Sequence, residues 1–279
     1  MFETRELDTK AIGREVVASV RTDTGCVREA NEDNGRHIVP DDPEVKQRRG
    51  TLTIVADGMG GHASGEVASR MAVEITSEYY YATEGEPAEA LRYAIETANT
   101  AIYQASNADE KLFGMGTTFV ALVIIGDTAF SAHVGDSRLY RSRGGVLKML
   151  TMDHSQVMEM VKHGILSLDE ARNHEDKNVI LRAVGTQAGV DVEVSEPFRV
   201  EIGDLFLLCS DGLSDMVTDG VIEAILRSES DVHSACEKLI EAAKKSGGHD
   251  NITAGLIRID AEQDGAPVSA VRSTREVKV

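Results

Sequence analysis

Cysteine is scarce. Cys26, Cys209 and Cys236 are the only three among 279 residues. Their number is odd and none sits in a CxxC pair, which excludes a disulfide framework and a thiolate metal site and fits a reducing, cytoplasmic setting. Cysteine-based phosphoester cleavage is excluded as well, because the sixth residue after each is Glu32, Asp215 or Ala242, never the arginine of a Cys-x5-Arg loop. Positive charge is also short: 29 Lys and Arg face 47 Asp and Glu, for a net charge of -18. No nucleic-acid partner is expected of such a chain, although a local basic spot can still hold one phosphate. Long apolar runs are missing. The longest, Phe119 to Ile125, falls far short of the roughly 20 residues that span a bilayer. The N-terminus has no basic region followed by an apolar stretch, so no signal peptide or membrane span is expected. There is no Gly-Lys pair for a Walker loop and no HExxH zinc motif, and GMGTTF lacks the third glycine of a dinucleotide fingerprint.

What is present is enough apolar material, 42%, for one large domain. Val16–Val20 and Leu52–Ala56 read as strands. From Ser64, a plausible N-cap, Val67, Met71, Ile75 and Tyr79 repeat every four residues and predict a helix buried along that stripe. A second helix begins near Pro87 and buries Leu91, Ala94, Ile95, Ala98 and Ile102. Strands Thr117–Ile125, Thr128–Val134 and Arg138–Arg141, separated by Gly-Asp turns, predict an antiparallel meander, with one more strand after Gly144-Gly145. The polar stretch Asp153–Lys177 reads as a surface flap. Strands over Val192–Val200 and Leu205–Cys209, helices over Val221–Ser228 and Asp231–Lys245, and a strand over Ile252–Ile259 complete the pattern. The class is α+β, a sheet core covered by helices on both sides. Residues 1–15 form an arm without an assignable role, 16–260 the domain, and 261–279 a tail predicted to be disordered.

Aspartate recurs where it is costly. The apolar runs TIVA, SAHVG and FLLCS lead into Asp57, Asp136 and Asp211, and Asp250 precedes the last strand. A single Asp-Gly is more often a turn or cap. Together, carboxylates beside buried strands need protons, hydrogen bonds or cations. If those strands are neighbours, Asp57, Asp211 and Asp250 can share one mouth of the sheet, and an all-oxygen set without cysteine selects Mg²⁺ or Mn²⁺. Gly58 allows its carbonyl to approach a metal, and Gly60-Gly61 accept unusual backbone geometry. Two cations on one carboxylate can activate water for attack on phosphorus, so the chemistry read here is phosphate-ester hydrolysis. Arg28 has the planar fork that suits phosphate but alone reads more often as a surface ion pair. His62 is either an exposed loop histidine or a proton donor to a leaving oxygen. His133 reads as a satisfied core histidine.

The ordered set R28EANED33, A56DGMGGHASGE66, G116TT118, V134GDSR138, C209SDGLSD215 and G248HDNIT253 resembles the bacterial branch of the metal-dependent PPM phosphatases, protein phosphatase type 2C, from about Thr22 to Ile259. The resemblance implies a four-layer α-β-β-α sandwich of two mostly antiparallel sheets flanked by helix pairs, and a binuclear Mn²⁺ or Mg²⁺ centre that hydrolyses phosphoserine and phosphothreonine in proteins. It implies that Asp57 bridges the metals, that Gly58 ligates one through its carbonyl, and that Asp211 and Asp250 complete the other. Glu32 acts through water, Asp136 joins Asp211 in a weaker third site, Arg28 holds the phosphate and His62 is the general acid. The implied partners are phosphorylated proteins and a cognate Ser/Thr kinase. The flap, about 151–181, matches no residue set that fixes substrate preference. Relatives often continue into a membrane helix, whereas this chain reads as a short soluble gene product. The rival readings are a noncatalytic phosphoprotein-binding module, against which the intact Asp57, Asp211, Asp250 and Arg28 weigh, and a phosphatase serving an anti-sigma system.

Overall fold

The computed structural model describes residues 14–60 and 64–262; the expectations for the N-terminal arm before residue 14 and for the tail after residue 262 fall outside them. The chain opens with β1 (Arg14–Asp23) and β2 (Asp33–Ile38), passes through α1 (Pro43–Arg49) and returns in β3 (Thr51–Met59). Two long helices follow, α2 (Ser64–Ala82) and α3 (Pro87–Ala108). Then come β4 (Gly116–Thr117), β5 (Phe119–Ile125), β6 (Thr128–Val134), β7 (Arg138–Arg143) and β8 (Val146–Met149). Helices α4 (Gln156–Lys162) and α5 (Leu168–Arg172) lead to β9 (Glu193–Val194) and β10 (Phe198–Arg199). The last elements are β11 (Leu205–Cys209), α6 (Asp211–Ser214), α7 (Asp219–Ser228), α8 (Val232–Lys245) and β12 (Ile252–Ala261).

One sheet runs β1-β12-β11-β7-β8 and the other β10-β6-β5-β3-β2, with β4 on β3 and β9 on β6. Every strand pair is antiparallel, as the short turns predict. At Gly144-Gly145 both residues take positive φ, 57° and 78°, the geometry that a two-residue hairpin needs and that glycine supplies without a steric penalty. Three apolar layers follow from the alternation along these strands. Val55, Val120, Leu122, Phe206, Leu208 and Ile257 pack between the sheets. Leu52, Ile54, Ala121 and Val123 face α2 and α3, while Leu207, Cys209, Ala254 and Leu256 face α7 and α8. This is the expected α-β-β-α stacking. Among the described residues no helix is long and apolar enough to cross a membrane.

Several local expectations need correction. The most deeply buried stripe of α2 is not Val67, Met71, Ile75 and Tyr79, although Val67 and Met71 pack half-buried against the same core. That stripe is Ala68, Ala72, Thr76 and Tyr80, with Val73 alongside, and Tyr79 is exposed. Small residues win that face because they let the helix approach the sheet and α3 closely. A single strand over Val192–Val200 is also not formed. Ser195-Glu196-Pro197 splits it into β9 and β10: Pro197 has no N–H for a ladder, and the Ser195 side chain takes the Ser131 N–H at 3.0 Å. Arg14 and Glu15, assigned to the arm, pair with Ala261 and Asp260 as the first residues of β1. Asp153 and His154, read as the start of a surface flap, are buried, as are Ser155, Val157 and Met158; the segment turns to the surface beyond Met158.

Candidate metal and phosphate site

β3 carries Asp57 to the rim of the sandwich, and β2 places Asp33 opposite it in antiparallel register. The GTT segment holds the Asp57 backbone. Asp57 N–H donates to Thr118 Oγ1 at 3.1 Å, and its carbonyl accepts from the Thr118 N–H and the Thr117 hydroxyl, each at 2.8 Å. Thr118 Oγ1 also lies 2.7 Å from Ser137 Oγ, so the VGDSR motif is tied to the same point. Next to Asp57, a Cβ on Gly58 would sit 2.1 Å from the Gly65 carbonyl oxygen and 2.5 Å from that of Glu32. Only glycine fits. The Gly58 N–H and the Ser69 hydroxyl both donate to the Glu32 carbonyl, at 3.2 and 2.6 Å.

The other sheet supplies the facing wall. β11 runs into Asp211 at the start of α6, and Asp250 lies just before β12. These two meet because a Cβ on Gly212 would come within 1.9 Å of the Asn251 carbonyl oxygen; α6 is pressed onto β12. Asn251 Oδ1 accepts from the Glu32 N–H at 2.7 Å, while its Nδ2 donates to the Thr24 and Ala30 carbonyls at 3.0 and 2.9 Å. That stitching brings Arg28 over the site, where its guanidinium donates to Asp250 Oδ2 at 2.8 Å.

Packed together, the carboxyls resist ionisation. Burial, followed by repulsion from Asp33, Asp211 and Asp136, holds Asp57 well above the usual carboxylate range. Asp33 is pushed up to about 7 by burial, although the Ser210 and Thr253 hydroxyls, each 2.7 Å from Oδ2, oppose the shift. Burial and the neighbouring Asp211 and Asp153 raise Asp136 to about 8. Asp211 rises to about 6 through burial and repulsion from Asp215 and Asp250. Asp57 and Asp211 perturb each other's ionisation directly. Glu32 is raised by burial, in spite of the Gly65 N–H at the start of α2 and the nearby Arg28. Two buried oxygens, Asp33 Oδ1 and Asp211 Oδ1, have no hydrogen-bond partner. An all-carboxylate donor set with unsatisfied oxygens and excess negative charge fits hard divalent cations. Cys209 is no competitor, since burial pushes its thiol up to about 12.

The family described as Protein phosphatase 2C matches residues 40–256. The chain belongs to the protein phosphatase 2C family. It is 40% identical over 258 residues to the serine/threonine phosphatase stp of Listeria monocytogenes, covering 90% of this chain and 99% of that protein. The serine/threonine phosphatase Stp1 from Staphylococcus aureus superposes with a TM-score of 0.81 at 31% identity, over 93% of this chain and 100% of that one. The catalytic domain of PstP in complex with two manganese ions superposes with a TM-score of 0.74 at 32% identity, over 88% and 99%.

Within this phosphatase fold, the structure brings Asp57, Asp136, Asp211, Asp250, Glu32 and Arg28 close together, and Gly58 abuts Glu32. His62 and Gly61 lie outside the described residues. Sequence reasoning missed Asp33 and Asn251. Asp33 follows Glu32 in the quoted NED motif, and only its register opposite Asp57 singles it out. The tightest cluster of metal-ligating types among the described residues is elsewhere: His133, His154 and Glu193. It is not built for a cation. The Gly135 N–H donates to His154 Nδ1 at 3.2 Å, which leaves the proton on Nε2 facing Glu193 Oε2 at 3.2 Å. His133 Nε2 binds the Met152 carbonyl at 2.9 Å, and the two rings stack with centroids 4.4 Å apart, so their in-plane lone pairs do not converge. His133 is the satisfied core histidine predicted.

Proposed function

We propose that this protein removes phosphate from phosphoserine and phosphothreonine in proteins, using Mn²⁺ or Mg²⁺ in two sites and a weaker third, and that it reverses a Ser/Thr kinase in the cytoplasm. The observation that carries the reading is the convergence of Asp33, Asp57, Asp136 and Asp211, each held above its ordinary pKa by burial and mutual repulsion, beneath the Arg28 guanidinium. The relatives named serine/threonine phosphatase support it. In this reading Asp57, the Gly58 carbonyl, Asp211 and Asp250 would hold the two cations. Asp136 with Asp211 would hold a third ion, and Glu32 would act through water. Bound divalent cations supply Lewis-acid polarisation of the phosphate and an acidified water.

The chain's own groups then divide the work. Arg28 turns its free N–H groups to the phosphate oxygens, whose charge and planar spacing match the fork. Thr117, Thr118 and Ser137 keep the Asp57 backbone from shifting, which matters because small displacements of reacting groups cost rate. His62 delivers a proton to the departing serine or threonine oxygen. The test is Mn²⁺-dependent phosphate release from a phosphothreonine peptide, with and without chelator and in Asp57→Asn. Activity is expected to vanish with chelator and to fall at least about 100-fold in the variant. Turnover that survives both sinks the metal-centred reading, and a wild type inert with every divalent cation favours a phosphoprotein-binding module.

A further inference from the structure

A cavity of about 200 Å³ lies between the carboxylate cluster and the segment that carries α4 and α5. Asp136 and Asp211 belong to its wall, so the cavity and the proposed phosphate site share two residues. The α4–α5 segment adds an apolar patch of Val157, Met158, Leu168 and Ala171, with Asp169, Arg172, Lys177 and Asn178 beside it. Val157, Met158 and Ala171 pack into a small buried cluster of their own, and Leu168 stands 57% exposed at the edge.

The three cations around the cavity are each spent on a carboxylate. Arg138 grips Asp153, with Nε 3.0 Å from Oδ1 and an Nη 2.6 Å from Oδ2. Lys177 Nζ lies 2.5 Å from Asp215, and Arg172 lies 3.6 Å from Asp219 while donating to the Ser214 carbonyl at 3.0 Å. No cation is left over to receive a second phosphate, Asp136, Asp169 and Asp211 leave the wall net negative, and its apolar surface is that of Met149, Val157, Met158, Leu168 and Ala171. Size narrows the occupant further. An apolar cavity of about 150 Å³ accepts a benzene-sized group, whereas cofactor pockets run from about 300 Å³ upward. One side chain fits, not a cofactor.

We propose that this cavity is a specificity subsite that takes one aliphatic or thioether side chain, Leu, Ile or Met, of the phosphoprotein, within a few residues of the phosphorylated Ser or Thr. The inference rests on the phosphatase reading above. Continuity with the phosphate site supplies the argument for that occupant: an extended chain advances about 3.3–3.6 Å per residue, so a peptide whose phosphate lies at Asp211 presents its near neighbours to the cavity mouth.

The test is a set of phosphothreonine peptides with Leu, Met, Gly or Asp placed in turn at each of the three positions on either side. The value of kcat/KM is measured with Mn²⁺ for the wild type, for Leu168→Asp at the exposed edge and for Ala171→Phe within the cavity. Each value is divided by that protein's own value on p-nitrophenyl phosphate, which has no neighbouring residue. At one position, Leu or Met is expected to exceed Gly and Asp by about 10-fold or more, and both variants are expected to shrink that ratio below about threefold. Equal rates for all peptides, a preference for Asp, or a Leu preference that survives both variants overturns the subsite and leaves the phosphatase reading standing. Hydrolysis of p-nitrophenyl phosphate but of no peptide, or of neither, overturns the phosphoprotein reading and the subsite with it.

Discussion

Asp33 and Asp57 face each other directly across β2 and β3, in antiparallel register, with Asp33 6% exposed. Like charges opposite one another on neighbouring strands are destabilising. The arrangement persists because Asp33 Oδ2 takes hydrogen bonds from Ser210 and Thr253, both from the opposing sheet. Asp33 therefore ties the two sheets together at the point where Asp57 and Asp211 meet. Asp33→Asn keeps the shape and removes the charge. We expect about 10- to 100-fold weaker Mn²⁺ binding by calorimetry, with the chelated protein no less stable than wild type. Undiminished affinity would show that Asp33 serves only as a strut.

The pH dependence of the metal-free protein follows from the same crowding. Asp33 at about 7 and Asp136 at about 8 lie above the unfolded carboxylate value near 3.9. Between those values the folded state binds more protons than the unfolded chain, so stability falls as pH rises. His37, half-buried and lowered to about 4 by desolvation, works oppositely, but only below the unfolded histidine value of about 6.5. The clean window is therefore pH 6.5 to 8. In chelator, Tm is expected to drop across it, and Asp136→Asn should flatten the slope. A flat wild-type profile would mean that the cluster is not protonated when metal is absent.

The contact between Gly58 and Gly65 gives a steric prediction. Gly58→Ala puts a methyl 2.1 Å from a backbone oxygen, which neither strand nor helix can yield cheaply. Urea unfolding is expected to show a loss of about 1–3 kcal/mol, the usual cost of overpacking. A loss below about 0.5 kcal/mol would mean that α2 can slide away from β3.

Arg28 should behave in the opposite sense. Its ion pair with Asp250 joins side chains that are 51% and 35% exposed, so it is worth at most about 1 kcal/mol. Arg28→Ala is expected to leave Tm nearly unchanged while phosphopeptide kcat/KM falls about 100-fold. Arg28→Lys should rescue only part of the loss, since an ammonium lacks the two-pronged geometry. Full rescue by lysine would reduce its role to bulk charge.

These residues differ in how visible they are in sequence. Asp57, Asp136 and Asp211 are legible because each ends an apolar run, and the layers are legible because the strands are short, apolar and joined by glycine turns. β2, DNGRHI, is not: it lacks a β-branched alternation, and its Gly35 is there because a Cβ would meet Val20 Cγ1 at 2.7 Å. α1 is short and charged, and its cue is local, Asp42 accepting from the Glu44 N–H at 2.8 Å ahead of Pro43. Nor does periodicity find Arg49, which is fully buried against Tyr80 and bonded to the Thr83 carbonyl. Asn251 is beyond reach as well, because its three partners lie more than 200 positions away. Pattern reveals what packs, whereas register and long-range hydrogen bonds decide which polar groups meet.

The segment bearing α4 and α5 offers a last prediction. Its base is fixed by backbone bonds, Leu181 N–H to the His154 carbonyl at 2.7 Å and His154 N–H to the Gly135 carbonyl at 2.9 Å. Its outer part is tied to the core by Lys177 on Asp215 and by Arg172 on the Ser214 and Val217 carbonyls. The first tie is a partly exposed ion pair worth about 0.2–1 kcal/mol; the second joins a charged donor to backbone oxygens and is worth about 1.5–3. Because the small Val157-Met158-Ala171 cluster is separate from the main cores, this segment can open without global unfolding. Tryptic cleavage after Lys162 should therefore accelerate less than about fivefold in Lys177→Met and more than about 10-fold in Arg172→Ala, with Tm unchanged in both. Cleavage rates that instead follow Tm would make the segment part of the global folding unit, because its opening would then require the sandwich itself to unfold.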